Sequence, residues 1–184
     1  MKAVLIITFL FSVHFSRGQA EQISVCKIEI YLLNKSIKAF DTTRRVVGKF
    51  NVKKEDLQDT AFIKDNEIIS YTIEKYKLNR KRKYWHKILL SGSIDDRIKR
   101  LGDIPLCCGI KYALVINDEV AYSGYLWNPI SSFTSTAITS SVHRNEILVT
   151  NMYQTKERDP RNNPVLFSCL KKSNRLILEK EKAD

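Results

Sequence analysis

Few residues of this 184-residue chain are of a type and spacing that could do chemistry. A serine or cysteine nucleophile needs a histidine base. His86 sits beside Trp85 in a basic stretch, His143 sits beside Arg144 in a turn-like stretch, and no G-x-S-x-G occurs. Both histidines read as solvated or structural. The cysteines are Cys26, Cys107, Cys108 and Cys169. The vicinal pair Cys107-Cys108 has no nearby histidine and no C-x-x-C partner, so it suggests neither a zinc site nor thioredoxin-type redox chemistry. There is no P-loop and no G-x-G-x-x-G. A glycosidase needs two facing carboxylates, and nothing among the 20 acids marks such a pair. The sequence therefore assigns no catalytic residue, no metal ligands and no cofactor.

Binding chemistry is better represented. Lys75, Lys77, Arg80, Lys81, Arg82, Lys83 and Lys87 are interleaved with Tyr76, Tyr84 and Trp85. Cations beside aromatic rings suit anionic sugars, phosphates or a lipid surface. The candidate binding residues are Lys77, Arg80, Lys81, Arg82, Lys83, Tyr84 and Trp85. Lysines at a hairpin tip also block edge-to-edge strand pairing, which gives the same cluster a purely structural reading.

The start of the chain sets the compartment in which these residues are read. Met1-Lys2 is a short positive start, Ala3–Val13 is an apolar run, and His14–Ala20 is polar with Gly18 and Ala20 two apart. That is the three-part layout of a cleavable signal peptide. The apolar run is shorter than the ~20 residues a membrane span needs, and no later stretch approaches that length. The expectation is export to the periplasm or the extracellular space, with residues 21–184 as a single domain. Losing Lys2 and Arg17 would lower the net charge from +11 to +9. Such a balance favours an anionic polymer, a lipid surface or an acidic protein, and export argues against nucleic acid. An exported chain with four cysteines invites a disulfide reading. Adjacent cysteines rarely bond each other, so bridging would join Cys26 and Cys169 each to one of Cys107 and Cys108; the alternative reading is that some of the four are buried apolar thiols.

The elements that must position these residues are legible as patterns. Val25–Leu33 alternates, with Cys26, Ile28, Ile30 and Leu32 on one face, and reads as a half-buried strand. Val46-Val47 suggests a second. Lys53–Ile63 carries Leu57, Ala61 and Phe62 at helical spacing, which predicts a short helix. Glu67–Leu78 predicts a strand with Ile69, Tyr71 and Ile73 on one face. The basic run is then a hairpin tip or exposed loop before Tyr84–Leu90. Ser93–Leu101 predicts a helix with Ser93 as its cap, acids at its start and Gly102 at its end. Lys111–Trp127 reads as a β-hairpin with a central first arm. Residues 131–141 are Ser/Thr-rich and read as loop or edge strand. Glu146–Tyr153 predicts a strand, and Gln154–Asn163 a polar loop. Asn163-Pro164 opens a helix whose buried face is Leu166, Phe167 and Leu170. The tail beyond Leu178 is charged and expected to fray. These elements make an α+β domain, a mostly antiparallel sheet with two or three short helices on one face.

Ile68-Ile69-Ser70-Tyr71, the helix Ile94–Leu101, Tyr112–Asn117, Tyr122-Ser123-Gly124-Tyr125-Leu126-Trp127 and Ser131-Ser132 follow one another in order. With Asp159-Pro160-Arg161-Asn162-Asn163 before a helix, this resembles a loose group of uncharacterised exported bacterial proteins over about a third of the mature chain. The resemblance implies no particular activity. The strand–helix–strand–turn–strand order is also similar, in pattern alone, to the periplasmic head domain of SecD-type translocase subunits, and fold analogy does not carry function. The functional expectation is a non-catalytic binding or interaction module for an anionic or protein partner. The alternatives are a cryptic hydrolase using carboxylates or a thiol, and a structural or immunity-type interaction domain.

Overall fold

Alternating and continuous apolar runs give a mostly sheet structure with two short α-helices among the described residues. The computed structural model describes residues 26–34, 40–41, 45–78, 81–102, 104–106, 108–151 and 159–178. The expected signal peptide, Arg80, Cys107 and the tail beyond Leu178 lie outside them.

In chain order the strands are β1 (Ile28–Leu32), β2 (Phe40–Asp41), β3 (Val46–Val47), β4 (Ile68–Leu78) and β5 (Lys81–Leu90). After helix α1 (Asp95–Arg100) come β6 (Ile110–Ile116), β7 (Glu119–Leu126), β8 (Thr134–Ser135), β9 (Ile138–His143) and β10 (Glu146–Thr150). Helix α2 (Pro164–Lys172) and strand β11 (Leu176–Leu178) close the chain. Eight strands form one sheet in the order β1-β6-β7-β9-β10-β5-β4-β11, and β2, β3 and β8 form a small second sheet. In the large sheet only β7–β9 and β4–β11 run parallel.

Local chemistry explains the joints. Asn117 and Asp118 both take positive φ, 47° and 68°, which is the turn that matches strand twist in a two-residue hairpin. Asn163 Oδ1 accepts the amides of Val165 and Leu166 at 2.8 and 3.3 Å, and Pro164 occupies the first helical position. Ser93 Oγ accepts the Asp95 amide at 3.1 Å, and Gly102 at φ 82° ends α1.

The main core lies on one face of the large sheet. Ile30, Ile88, Tyr112, Leu114 and Val149 from the strands meet Ile94 before α1 and Leu166, Cys169 and Leu170 from α2. Ile98 of α1 packs against the same cluster. Both helices thus feed one core.

The two ends of the large sheet are brought together. Ile30 and Ile63 exchange both backbone hydrogen bonds, at 2.9 and 3.0 Å, along the open edge of β1. The segment carrying Ile63 runs straight into β4, near the opposite end of the strand order. Asp65 Oδ1 accepts the Ile28 amide at 2.7 Å. Arg175, just before β11, pairs with Asp65 at 2.8 Å and donates to the Cys26 carbonyl at 3.2 Å. Cys26 is disulfide-bonded to Cys169 of α2.

Four expectations are corrected. Residues 53–63 form only a 3-10 turn, Lys54–Asp56, because their backbone pairs with the β1 edge at Leu57 and Ile63 instead of with itself. A register shift between Ile68 and Ser70 turns Ile69 out to 51% exposure, so it does not share the face of Tyr71. Within residues 131–141, Thr134–Ser135 is the edge strand β8 of the small sheet, but the chain from Ile138 is neither loop nor edge. Residues 138–143 are the interior strand β9, paired with β7 and β10, and fully buried Ser140 is satisfied by the Tyr112 hydroxyl at 2.6 Å. In α2, Cys169 rather than Phe167 joins Leu166 and Leu170 in the fully buried face.

Candidate functional site

The basic segment is the outer part of the β4–β5 hairpin. β10 pairs with β5 only from Leu89 to His86, and β11 pairs with β4 only from Tyr71 to Ile73. From Glu74 to Trp85, among the described residues, the hairpin's ladder partners are its own two strands. It is therefore a two-stranded arm extending past the sheet. Lys77 lies near the end of β4, and Lys81, Arg82, Lys83, Tyr84 and Trp85 lie in β5. Register places Lys77 opposite Arg82, Tyr76 opposite Lys83 and Lys75 opposite Tyr84. Like charges at directly opposite positions of an antiparallel pair are unfavourable. Trp85, opposite Glu74, is 36% exposed, and Tyr84 is half-buried. The structure brings the candidate residues it describes onto one arm.

The root of the arm is held by a buried polar cluster that the sequence reading did not foresee. Arg161 is 0% exposed. Its guanidinium donates to the Val149 carbonyl at 2.8 Å and the Tyr84 carbonyl at 3.2 Å, where β10 and β5 part. Its charge is met by Asp159, with contacts from Nη2 at 2.7 Å and Nε at 3.1 and 3.2 Å. Asp159 also caps the 3-10 turn Pro160–Asn162 by accepting the Arg161 amide. Burial opposes ionisation of Asp159, but the Arg161 guanidinium prevails and holds the carboxyl below its ordinary range.

His86 lies next to this pair and is fully buried. Its Nδ1 shares a 2.9 Å hydrogen bond with the Tyr71 hydroxyl, with the rings edge to face. Burial, then the nearby Arg161 charge, pushes its pKa down to about 3, so it is neutral at pH 7. Burial also raises the pKa values of Tyr71, Tyr112 and Tyr122. His86 Nε2 and the Tyr122 hydroxyl are buried without a hydrogen-bond partner among the described residues.

A separate cleft of about 620 Å³ opens between residues 58–67 and α1. Arg97 lines it, donating to the Phe62 carbonyl at 2.7 Å and pairing with Glu67. Arg97 lowers the Glu67 pKa, as does the Lys64 amide that donates to it at 2.8 Å.

The cysteines differ from expectation. Cys26 and Cys169 are bonded to each other, not to the vicinal pair, because the residues before β1 and the middle of α2 meet across the core. Cys108 is half-buried. Among the described residues no group of three or more His, Cys, Asp or Glu converges as a metal site, and no helix is long and apolar enough to cross a membrane. No protein-family model matches the chain, and no curated protein matches it in a sequence search.

Proposed function

We propose that this chain is an exported α+β binding domain, spanning residues 21–184, that holds an anionic polymer on the β4–β5 arm without catalysing a reaction. The observation that carries this reading is the register of the arm. The register sets Lys77 opposite Arg82, with Lys81 and Lys83 at alternate positions of β5, so both faces of the arm carry cationic positions, and like charges at opposite positions favour an anion lying along them. Tyr84 and Trp85 next to these cations add ring faces that suit sugars. The Arg161–Asp159 pair, bonded to the Tyr84 carbonyl, holds the root of the arm to the sheet.

Retention on immobilised heparin, read as the salt needed for elution, tests the proposal. Replacing Arg80, Arg82 and Lys83 together by alanine should shift elution to clearly lower salt, since screened contacts set the retention. Unchanged elution of a folded triple variant would sink the assignment. Stronger retention by anionic-lipid vesicles than by heparin would move the partner class to a membrane surface.

A further inference from the structure

We infer that the cleft beside α1 is a second binding site, for a small sugar acid, at the end of the sheet opposite the arm. The placement follows from strand direction. The cleft is lined by Leu32 at the end of β1, by the segment that enters β4, and by α1 after the end of β5. The arm's tip lies where β4 ends and β5 begins, so the two sites do not overlap.

The lining has a marked charge imbalance. Lys64, Arg97 and Arg100 line the cleft, and Glu67 is the one acid among its described lining residues. Glu67 is already paired with Arg97. Lys64 and Arg100 are exposed and have no ion-pair partner among the described residues. Two exposed cations thus line a concavity in which Arg97 is held by its bond to the Phe62 carbonyl. A carboxylate is the natural complement, because Arg binds it with paired donors.

The rest of the lining sets the ligand's body. Gln58, Thr60 and Asn66 supply amide and hydroxyl groups, beside half-buried Phe62 and buried Leu32. Hydroxyl-rich rings match that mixture, whereas an alkyl chain would leave these polar groups unpaired. The volume falls inside the ~300–1,000 Å³ range of small-molecule sites and accommodates a mono- or disaccharide.

Titration of digalacturonate into the isotopically labelled full domain, followed by amide chemical shifts, tests the inference. Maltose serves as the neutral disaccharide and decanoate as the alkyl carboxylate. Digalacturonate should perturb residues 58–67 and 97–101 saturably. Its affinity should fall about tenfold in Arg100→Ala and in Lys64→Ala and stay unchanged there in the triple arm variant. Both side chains are exposed, so unaltered circular dichroism and urea midpoints will certify folding. Absence of saturable shifts in this region, equal binding of maltose, tighter binding of decanoate, or shifts confined to the arm would each overturn the proposal. The last of these would leave the arm's own function standing.

Discussion

Arg161 shows how one side chain can decide local structure. A guanidinium removed from water is tolerated only when its donors and its charge are met. Asp159 and two strand carbonyls meet them here. Arg161→Ala strips the guanidinium from the mostly buried Asp159 carboxylate and from two strand carbonyls, and should destabilise the domain by about 3–5 kcal/mol in urea unfolding. A loss under about 1 kcal/mol would show that the desolvation cost of the pair offsets what its contacts contribute. His86 makes a second prediction at this scale. Its folded pKa of about 3 lies below the ordinary 6.5. The unfolded chain therefore takes up a proton as pH drops below 6.5, and the folded chain does not until pH nears 3. The stability from neutral His86 is complete above that window and drains as pH falls through it, by at most about 1.4 kcal/mol per pH unit. His86→Phe should flatten the slope of unfolding free energy between about pH 6 and pH 4.5, before most carboxylates titrate. An unchanged slope would show that another group carries the dependence. The sequence displayed neither site. Asp159-Pro160-Arg161 looks like any polar turn, and burial of an arginine depends on carbonyls supplied from residues 84 and 149.

Elements were legible where local pattern and tertiary demand agree. Alternation marked β1, the apolar run with Asn117-Asp118 marked the β6–β7 hairpin, and Asn163-Pro164 marked the start of α2. Elements were misread where a distant partner decides. Leu57, Ala61 and Phe62 have helical spacing, but an open edge of β1 claims that backbone. Strand β9 gave no signal of its own. Its Thr139 and Ser140 hydroxyls find Thr150 and Tyr112 across the sheet, at 2.9 and 2.6 Å. A polar strand satisfied in this way carries no apolar alternation to betray it. The contact that admits β9 beside β7 is a close one. Gly124 is paired with Ile138 in register. A Cβ at Gly124 would lie 2.7 Å from the Ile138 carbonyl oxygen and 3.0 Å from its Cγ2. Gly124→Ala should therefore lower stability by about 1–3 kcal/mol through overpacking. Thermal unfolding measures it, and an unaltered midpoint would show that β9 moves aside without cost.

At the scale of the whole molecule, the connection between the two ends of the sheet matters most. Apolar burial holds each strand to its neighbours, but β1 and β11 are joined mainly through the segment at Ile63, Arg175 and the Cys26–Cys169 bridge. The bridge spans 143 residues. Closing so long a loop in the unfolded chain removes much of its entropy, which by loop-closure reasoning stabilises the fold by up to about 5 kcal/mol, with about 2–4 kcal/mol typical. The Cys26→Ser, Cys169→Ser double variant should lose about that amount in urea unfolding, while Cys108→Ser in the intact protein should lose much less, because it leaves the closure untouched. Peptide mapping without reductant should recover the Cys26 peptide linked to the Cys169 peptide. Recovery of either one linked to the Cys107-Cys108 peptide would refute the pairing. Disulfides persist in oxidising compartments, so protein made in a reducing cytosol should show the double variant's stability, and protein recovered from an oxidising compartment should show the full value. Equal stability from both sources would separate the fold from the bridge and remove its bearing on export.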